Sequence, residues 1–239
     1  MPEEGIKLLR HEDILSFEEI AEVVRFAVSK GIDKIRLTGG EPLVRRDITD
    51  LISMIARIEG VNDFAMTTNG TFLKKYAVDI AKAGLHRVNV SLDTLDPEKY
   101  RDITRGGDVK KVIEGLNEAS LAGLNPIKIN TVIGEFTTQK DRNDLINFCK
   151  KNDYKIRFIR KMDLKRGKFS VVEGGMGGDC PRCNRLRLTS NGQIKPCLFS
   201  ELGYDIRDMG IEKAFNEAIN NKPKSGKSNS TCTFYRIGG

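Results

Sequence analysis

The sequence predicts an α/β fold, an open or partial barrel of parallel strands followed by a small cysteine-bearing domain. Three observations predict this class. Strand-like and helix-like segments alternate along most of the chain, the strand-like segments have one apolar and one polar face, and three cysteines cluster in the last third. Strands that alternate with helices form right-handed βαβ units, whose strands lie parallel in one sheet.

The first predicted element is a helix. Ser16 and Glu19 have the spacing of a capping box, and apolar residues follow them at helical intervals. A strand is predicted at 34–38, and Gly39-Gly40 ends it before a second helix at 47–58. The same order then repeats. Further strands are predicted at 64–68, 87–92, 127–133 and 156–162, and helices follow the first three of them as far as residues 83, 122 and 151.

The predicted strands have two different faces because side chains alternate along a strand. The apolar set, which helices should cover, is Ile35, Leu37, Val88, Val90, Ile127 and Ile129. The opposite set is Lys34, Arg36, Arg87, Asn89, Ser91, Lys128 and Asn130. A closed barrel normally fills its interior with branched apolar side chains. The polar set therefore predicts a wide, hydrated interior that suits a charged substrate.

Composition limits the function classes. The chain has 239 residues, of which 39% are hydrophobic, and this suits one large domain or one domain with a small appendix. It contains no apolar run long enough to span a membrane and no signal-peptide pattern, so we expect a cytoplasmic protein without a membrane partner. The net charge of +7 favours a polyanionic partner. Nucleic acid and nucleotide phosphate both qualify by charge. We expect no nucleic-acid partner, and the sparse aromatic residues, which leave few stacking platforms for single strands, agree with this.

Three of the five cysteines, Cys180, Cys183 and Cys197, have metal-ligand spacing. A Cys-x-x-Cys turn lets two thiols reach one metal, and a third can arrive from the next hairpin. Between them, the alternating segment 184–188 puts Arg185 and Arg187 on one side of a predicted strand, which suggests an anionic ligand beside the metal. From this spacing alone, both a structural zinc knuckle and an iron-sulfur centre stay open.

We divide the chain into three segments. The barrel occupies 1–162, a short polar and glycine-rich linker occupies 163–178, and the small domain occupies 179–239. Within the small domain, a hairpin should turn at Asn191-Gly192, and a helix is predicted at 208–219.

Six motifs are spread along the chain: RLTGGEPLVRRD, TTNGTFL, RVNVSLDTLD, PIKINTVI, IRFI and CPRCNRLRLTSNGQIKPCLFS. Together they resemble the MoaA family, the radical S-adenosylmethionine (SAM) enzymes that begin molybdenum-cofactor synthesis. The cysteine spacing is the most specific part, whereas GGEP alone indicates only the wider superfamily. The resemblance implies an incomplete (β/α) radical SAM partial TIM barrel with a small C-terminal iron-sulfur domain. It also implies a lyase, a GTP 3',8-cyclase that uses SAM and [4Fe-4S] clusters to make 3',8-cyclo-7,8-dihydro-GTP.

The resemblance further implies roles for individual residues. It places SAM contacts at Gly39, Gly40, Glu41, Ser91 and Met162. It places GTP contacts at Arg36, Thr67, Lys128, Arg185 and Arg187. It gives the second cluster three ligands, Cys180, Cys183 and Cys197.

The sequence departs from the family at three points. The family's first cluster is held by Cys-x3-Cys-x2-Cys just before a segment like Met1 to Gly5, and neither Cys149 nor Cys232 replaces those ligands. We therefore expect a chain truncated at its N-terminus, without the first strand, its cluster loop or catalytic cysteines, and unable to cleave SAM alone. The linker is shorter than in the family, and Arg160 stands where the family has an acidic residue. An unpaired sheet edge favours self-association, so a homodimer is expected.

Two alternatives belong to other function classes. The first is a non-catalytic fragment or degenerate paralogue that binds GTP or an iron-sulfur cluster. The second, favoured only by the positive charge, is a zinc-binding nucleic-acid protein.

Overall fold

The computed structural model describes residues 9–162, 169–175 and 177–226. Two sequence predictions fall at or beyond these limits. The predicted linker at 163–178 lies partly outside the described residues, and Cys232 lies wholly outside them.

Two compact units make up the described chain. We call 33–161 with 171–176 the sheet unit. We call the described residues of 1–32, 162–170 and 177–239 the cysteine unit. The predicted three-segment boundaries stay a prediction.

Helices and strands alternate in the sheet unit, as predicted, and the elements of both units are numbered together along the chain. In chain order the helices are α1 (Phe17–Ser29), α2 (Ile48–Ala56), α3 (Leu73–Lys82), α4 (Pro97–Thr104), α5 (Val109–Leu121), α6 (Gln139–Lys151), α7 (Ile206–Met209) and α8 (Ile211–Asn220). The strands are β1 (Lys34–Leu37), β2 (Asp63–Thr68), β3 (Arg87–Ser91), β4 (Lys128–Ile133), β5 (Lys155–Arg160), β6 (Arg187–Leu188), β7 (Gln193–Lys195) and β8 (Tyr204–Asp205). None of the helices in the described part of the chain is both long and apolar enough to cross a bilayer.

The sheet unit is built on one parallel sheet in the order β1-β2-β3-β4-β5. Sequential order with parallel pairing is the arrangement that repeated βαβ units produce. The predicted α/β class is therefore confirmed. The single helix predicted between the third and fourth strands is two helices, α4 and α5, because the chain turns at Arg105 and Gly106 with φ of 59° and 105°. Positive φ at two successive residues cannot continue a right-handed helix.

The predicted apolar set forms the core side of the central strands. Val88, Val90, Ile127 and Ile129 are fully buried. Ile35 and Leu37 on β1 are only half-buried, because β1 lies at the edge of the described sheet. Burial is therefore greatest where a strand has neighbours on both sides.

The cysteine unit has a core of its own. The first predicted helix, α1, begins with the expected capping box, in which Ser16 and Glu19 bond reciprocally. Its apolar face packs with α8, and the rings of Phe26 and Phe215 meet edge to face at 5.3 Å. An antiparallel sheet of β6, β7 and β8 joins this core, and the first hairpin turns at Gly192 with φ of 87°, as predicted.

Candidate functional site

The loop after β1 contains the predicted SAM-binding glycines. Both oxygens of Glu41 in this loop accept hydrogen bonds: Oε1 from the backbone N of Leu43 (3.1 Å) and Oγ1 of Thr68 (2.7 Å), and Oε2 from the backbone N of Asn69 (2.7 Å). The carboxylate therefore ties the loop to the end of β2. Gly39 and its neighbour are exposed, and their Cβ positions meet no atom of the described chain beyond the adjacent residues. The loop thus has an open side for a ligand.

The predicted polar face is one surface of the sheet unit. Thr67, Asn89 and Lys128 are successive partners across β2, β3 and β4. Partners on adjacent parallel strands point to the same side, and alternation adds Arg36 and Ser91. The structure therefore brings four predicted ligand contacts, one for SAM and three for GTP, onto one face.

Positive charge dominates this face. Burial lowers the pKa of Lys128, and the nearby Arg87 and Arg157 lower it further. The pKa of Asp63 is lowered mainly by hydrogen bonds from Arg87, with attraction from Lys128 and Arg36 adding to the effect. Several cations thus act on one carboxylate, which is the electrostatic setting of an anion-binding surface.

A basic cleft adjoins the same face. It has a volume of about 550 Å³, and its lining includes Lys128, Lys150, Lys155 and Arg157. Cys149 also lines it but is buried in α6, and burial raises the pKa of its thiol to about 11. Cys149 is therefore a core residue of the sheet unit.

Sequence reasoning identified the polar residues of β3 but missed their acidic partner. Nε and Nη2 of Arg87 each donate to one oxygen of Asp63 at 2.8 Å. Nη1 of Arg87 donates to Oδ1 of the fully buried Asn89 at 3.2 Å. The signal was present in the sequence, but Asp63 directly precedes the predicted strand at 64–68 and was not counted on its face.

Asn130 carries a buried polar atom. Its Oδ1 finds no hydrogen-bond donor among the described residues. It is the register partner of Ser91 on one side and of Arg157 on the other. An unpaired buried carbonyl is energetically costly and marks a point where the sheet face is incomplete without a further donor.

Arg160 does not join the polar face. Strand alternation puts Lys155 and Arg157 with Lys128, and Arg160 on the opposite side with Phe158. Arg160 is exposed at the end of β5. The positive charge of Arg160 therefore does not add to the polar sheet face that carries Arg36, Thr67 and Lys128.

The three metal-ligand candidates lie in the cysteine unit. Cys180 begins a short 3₁₀ turn, and the backbone N of Cys183 donates to its carbonyl oxygen at 3.0 Å. Sγ of Cys197 accepts from the backbone N of Phe199 at 3.4 Å, and Met162 packs in the same small apolar cluster. No group of three Cys, His, Asp or Glu side chains in the described ranges is gathered closely enough to hold a metal ion. The shared ligand role of the three thiols stays a prediction based on their donor chemistry.

Arg187 interacts electrostatically with two of these thiols, those of Cys183 and Cys197. Burial is the main cause that lowers its pKa, and the nearby Arg185 lowers it further, whereas Cys183 and Cys197 act in the opposite direction. The predicted pair of arginines thus shares one electrostatic environment with two of the cysteines. An anionic group near them would offset the repulsion between the arginines.

We call residues 183–197, which contain the β6–β7 hairpin, the cysteine hairpin. Lys222 stabilises the backbone near both of its ends. Its ammonium group donates to the carbonyl oxygens of Arg185 and Pro196, each at 2.6 Å. These carbonyls lie two residues after Cys183 and one before Cys197. Sequence reasoning missed this contact, because a lysine at the end of a helix has no distinctive pattern.

Residues 4–149 match the family model of the radical SAM superfamily. Proteins named GTP 3',8-cyclase are similar to the chain: that of Thermodesulfovibrio yellowstonii is 42% identical, with 92% of this chain and 82% of the relative covered. That of Alkaliphilus oremlandii is 38% identical, covering 94% and 85%. That of Clostridium botulinum strain Langeland is 35% identical, covering 100% and 92%.

Solved structures share the fold. Streptococcus suis SuiB bound to S-adenosylmethionine has a TM-score of 0.68 and 18% identity, with 97% of this chain and 66% of SuiB covered. Methylornithine synthase (PylB) has a TM-score of 0.55 and 19% identity, covering 65% and 46%. The comparisons do not favour a zinc-binding nucleic-acid protein or a non-catalytic fragment.

Proposed function

The chain belongs to the radical SAM superfamily and, within it, to the GTP 3',8-cyclases, and from this premise we propose that its polar sheet face binds GTP. The reaction of the family is the conversion of GTP to 3',8-cyclo-7,8-dihydro-GTP in molybdenum-cofactor biosynthesis. The observation that carries the proposal is the charge on that face. Arg36 and Lys128 both act on Asp63, whose carboxylate already forms a bidentate pair with Arg87.

We assign the triphosphate of GTP to the basic groups and the Thr67 hydroxyl. A multiply charged anion suits this face, because Lys128 is held among other cations and its charged form is disfavoured there. A bound phosphate would compensate both effects and raise the pKa of Lys128. Arg36 and Lys128 would then hold the anion, and Thr67 would add a neutral donor.

We assign SAM to the open loop after β1. Gly39 and Gly40 would let the ligand reach their backbone, and Ser91 on the same unit would add a contact. Met162, the other predicted SAM contact, belongs to the cysteine unit, and its role stays a prediction. Glu41 would hold the loop rather than touch the ligand, since three donors already occupy its carboxylate. SAM bound here, if cleaved with one electron from a [4Fe-4S] cluster, would supply the radical that removes hydrogen from the ribose of GTP.

We also propose that Cys180, Cys183 and Cys197 ligate a [4Fe-4S] cluster. Three thiolates are the donor type that such clusters take, and Arg185 and Arg187 supply positive charge for an anionic ligand nearby. Iron and sulfide analysis with an absorption spectrum tests this point, because zinc gives no visible band. A colourless protein that binds zinc but no iron after anaerobic reconstitution contradicts it.

The remaining proposals concern organisation. We propose a cytoplasmic location, the predicted boundaries at 162 and 178, and self-association into a homodimer. The absence of a membrane-spanning helix among the described residues is compatible with that location.

Isothermal titration of the reconstituted full chain with GTP, without SAM or reductant, tests the substrate assignment. Arg36→Met should weaken binding about tenfold or more, since a charge-assisted bond is lost. Arg101→Met removes an exposed arginine from α4 of the same unit and should change affinity less than about twofold. Equal affinities of the wild type and Arg36→Met would contradict the proposal, and so would a wild type that does not bind GTP.

A further inference from the structure

A directional chain of hydrogen bonds crosses the polar face from β2 to β3 and back. It starts at Asp63, which accepts from Nε and Nη2 of Arg87 at 2.8 Å each. Nη1 of the same guanidinium donates to Oδ1 of Asn89 at 3.2 Å. Nδ2 of Asn89 then donates to Oγ1 of Thr67 and to the carbonyl oxygen of Met66, each at 3.4 Å.

The direction of this chain is fixed by chemistry. A guanidinium has only donors, so the atom of Asn89 that faces Arg87 must be the carbonyl oxygen. The amide nitrogen must then face Thr67, and because an amide nitrogen only donates, Oγ1 of Thr67 must accept. The Arg87–Asp63 pair holds the guanidinium in place by two parallel bonds, which are the strongest arrangement for these groups. The amide of Asn89 therefore cannot flip without losing both of its neighbours.

Burial prevents water from replacing these contacts. Asn89 is fully buried and Arg87 is 8% exposed, whereas Thr67 is half-buried on the face itself. Asn89 is thus a buried residue between two proposed nucleotide contacts, Thr67 on β2 and Lys128 on β4. It can influence a ligand only through the side chains beside it.

We infer that Asn89 is a positioning residue, which makes Thr67 a hydrogen-bond donor toward the bound nucleotide. A hydroxyl group has one proton and two acceptor positions. With one acceptor position taken by Nδ2 of Asn89, the proton of Thr67 points away from Asn89, where it can reach a phosphate or other acceptor atom. The inference rests on the proposed function in taking Thr67 as a nucleotide contact.

The test measures what the hydroxyl of Thr67 contributes in three backgrounds. GTP affinity is determined by isothermal titration of the reconstituted full chain for Thr67→Val in the wild type, in Asn89→Ala and in Asn89→Asp. In the wild type, loss of the hydroxyl should weaken GTP binding about tenfold. In both Asn89 backgrounds it should weaken binding less than about twofold. In Asn89→Ala no amide donates to Thr67, so the direction of the Thr67 hydroxyl is no longer fixed. In Asn89→Asp the carboxylate accepts the proton of the Thr67 hydroxyl, which then points away from the nucleotide.

Comparing the ratios cancels any additive effect of the Asn89 substitutions on charge or folding, so only the coupling between Asn89 and Thr67 remains. Asn89→Asp retains an acceptor for Arg87 and serves if Asn89→Ala does not fold. Thr67→Ser keeps the hydroxyl and should bind GTP within about twofold of the wild type. A tenfold effect of Thr67→Val in every background overturns the inference while leaving the proposed function intact. A wild type without GTP affinity overturns the proposed function, and with it the ligand role of Thr67.

Discussion

Oγ1 of Thr68 donates a 2.7 Å hydrogen bond to Oε1 of Glu41, so the last residue of β2 holds the loop that follows β1. Thr68 is 2% exposed, and its oxygen also accepts from the backbone N of Gly70. The contact therefore joins two loops at the carboxyl end of the sheet, where parallel α/β proteins bind their ligands. Glu41 acts as an internal connector between neighbouring βα units.

Glu41→Gln should destabilise the sheet unit by about 1–3 kcal/mol, because glutamine keeps one acceptor oxygen but its amide nitrogen cannot accept. At least one of the donors Leu43, Thr68 and Asn69 therefore loses its acceptor. Urea unfolding followed by circular dichroism measures the change. Glu114→Gln is the control, since among the described residues Glu114 pairs with Lys74, at an exposed position, and the substitution should cost less than about 0.5 kcal/mol. Equal effects of the two substitutions would mean that the bonds of Glu41 contribute nothing beyond those of a surface carboxylate.

The ion pair of Asp63 and Arg87 predicts a pH-dependent stability. The pKa of Asp63 is lower in the folded state, so the pair stabilises fully above the unfolded pKa of about 4 and is lost as pH falls through the folded-state value. Asp63→Asn should therefore cost about 1.5–3 kcal/mol at pH 7 and progressively less below pH of about 4. Urea unfolding of both proteins across this pH range measures the difference. A cost that stays constant down to the lowest pH would show that the carboxylate charge is not its origin.

The features that the sequence predicts correctly are those whose signals lie within a few residues, such as strand faces, helix caps and tight turns. The alternation in β3 identified Arg87, Asn89 and Ser91 as one face, because side-chain direction in a strand has a period of two. The capping box at Ser16 and the turn at Gly192 were recovered for the same reason: their signals lie within a few residues.

Contacts between distant segments were not recovered. The bond of Glu41 with Thr68 joins residues 27 positions apart, and that of Arg87 with Asp63 joins residues 24 apart. Periodicity shows which face a residue occupies but not which partner lies opposite, since the register between strands depends on the packing of the whole unit. For the three cysteines, the spacing in the sequence indicates which atoms could bind a metal. It does not show how the sulfur atoms are arranged in the folded chain.

Lys222→Met should loosen the cysteine hairpin, because the ammonium group donates to the carbonyls of Arg185 and Pro196 and methionine cannot. We expect a loss of about 1–3 kcal/mol in unfolding free energy and less iron retained per chain after reconstitution. Lys213→Met on the exposed side of α8 is the matched control and should leave both values unchanged. Iron retention equal to that of the wild type would show that these two bonds do not organise the cysteine segment.

Asn130→Leu should not destabilise the protein, although most substitutions of inward-pointing residues do. Oδ1 of Asn130 is buried without a donor among the described residues, so the folded chain bears its desolvation cost, and an apolar side chain of similar size removes it. Asn89→Leu is the matched control on the next strand. The side-chain amide of Asn89 forms hydrogen bonds with Arg87, Thr67 and Met66. Substitution of Asn89 by leucine should therefore cost about 1–3 kcal/mol. Urea unfolding in the absence of ligands compares the two. If Asn130→Leu costs as much as Asn89→Leu, an ordered water pairs with Oδ1 in solution, and the polar face is already complete before a ligand binds.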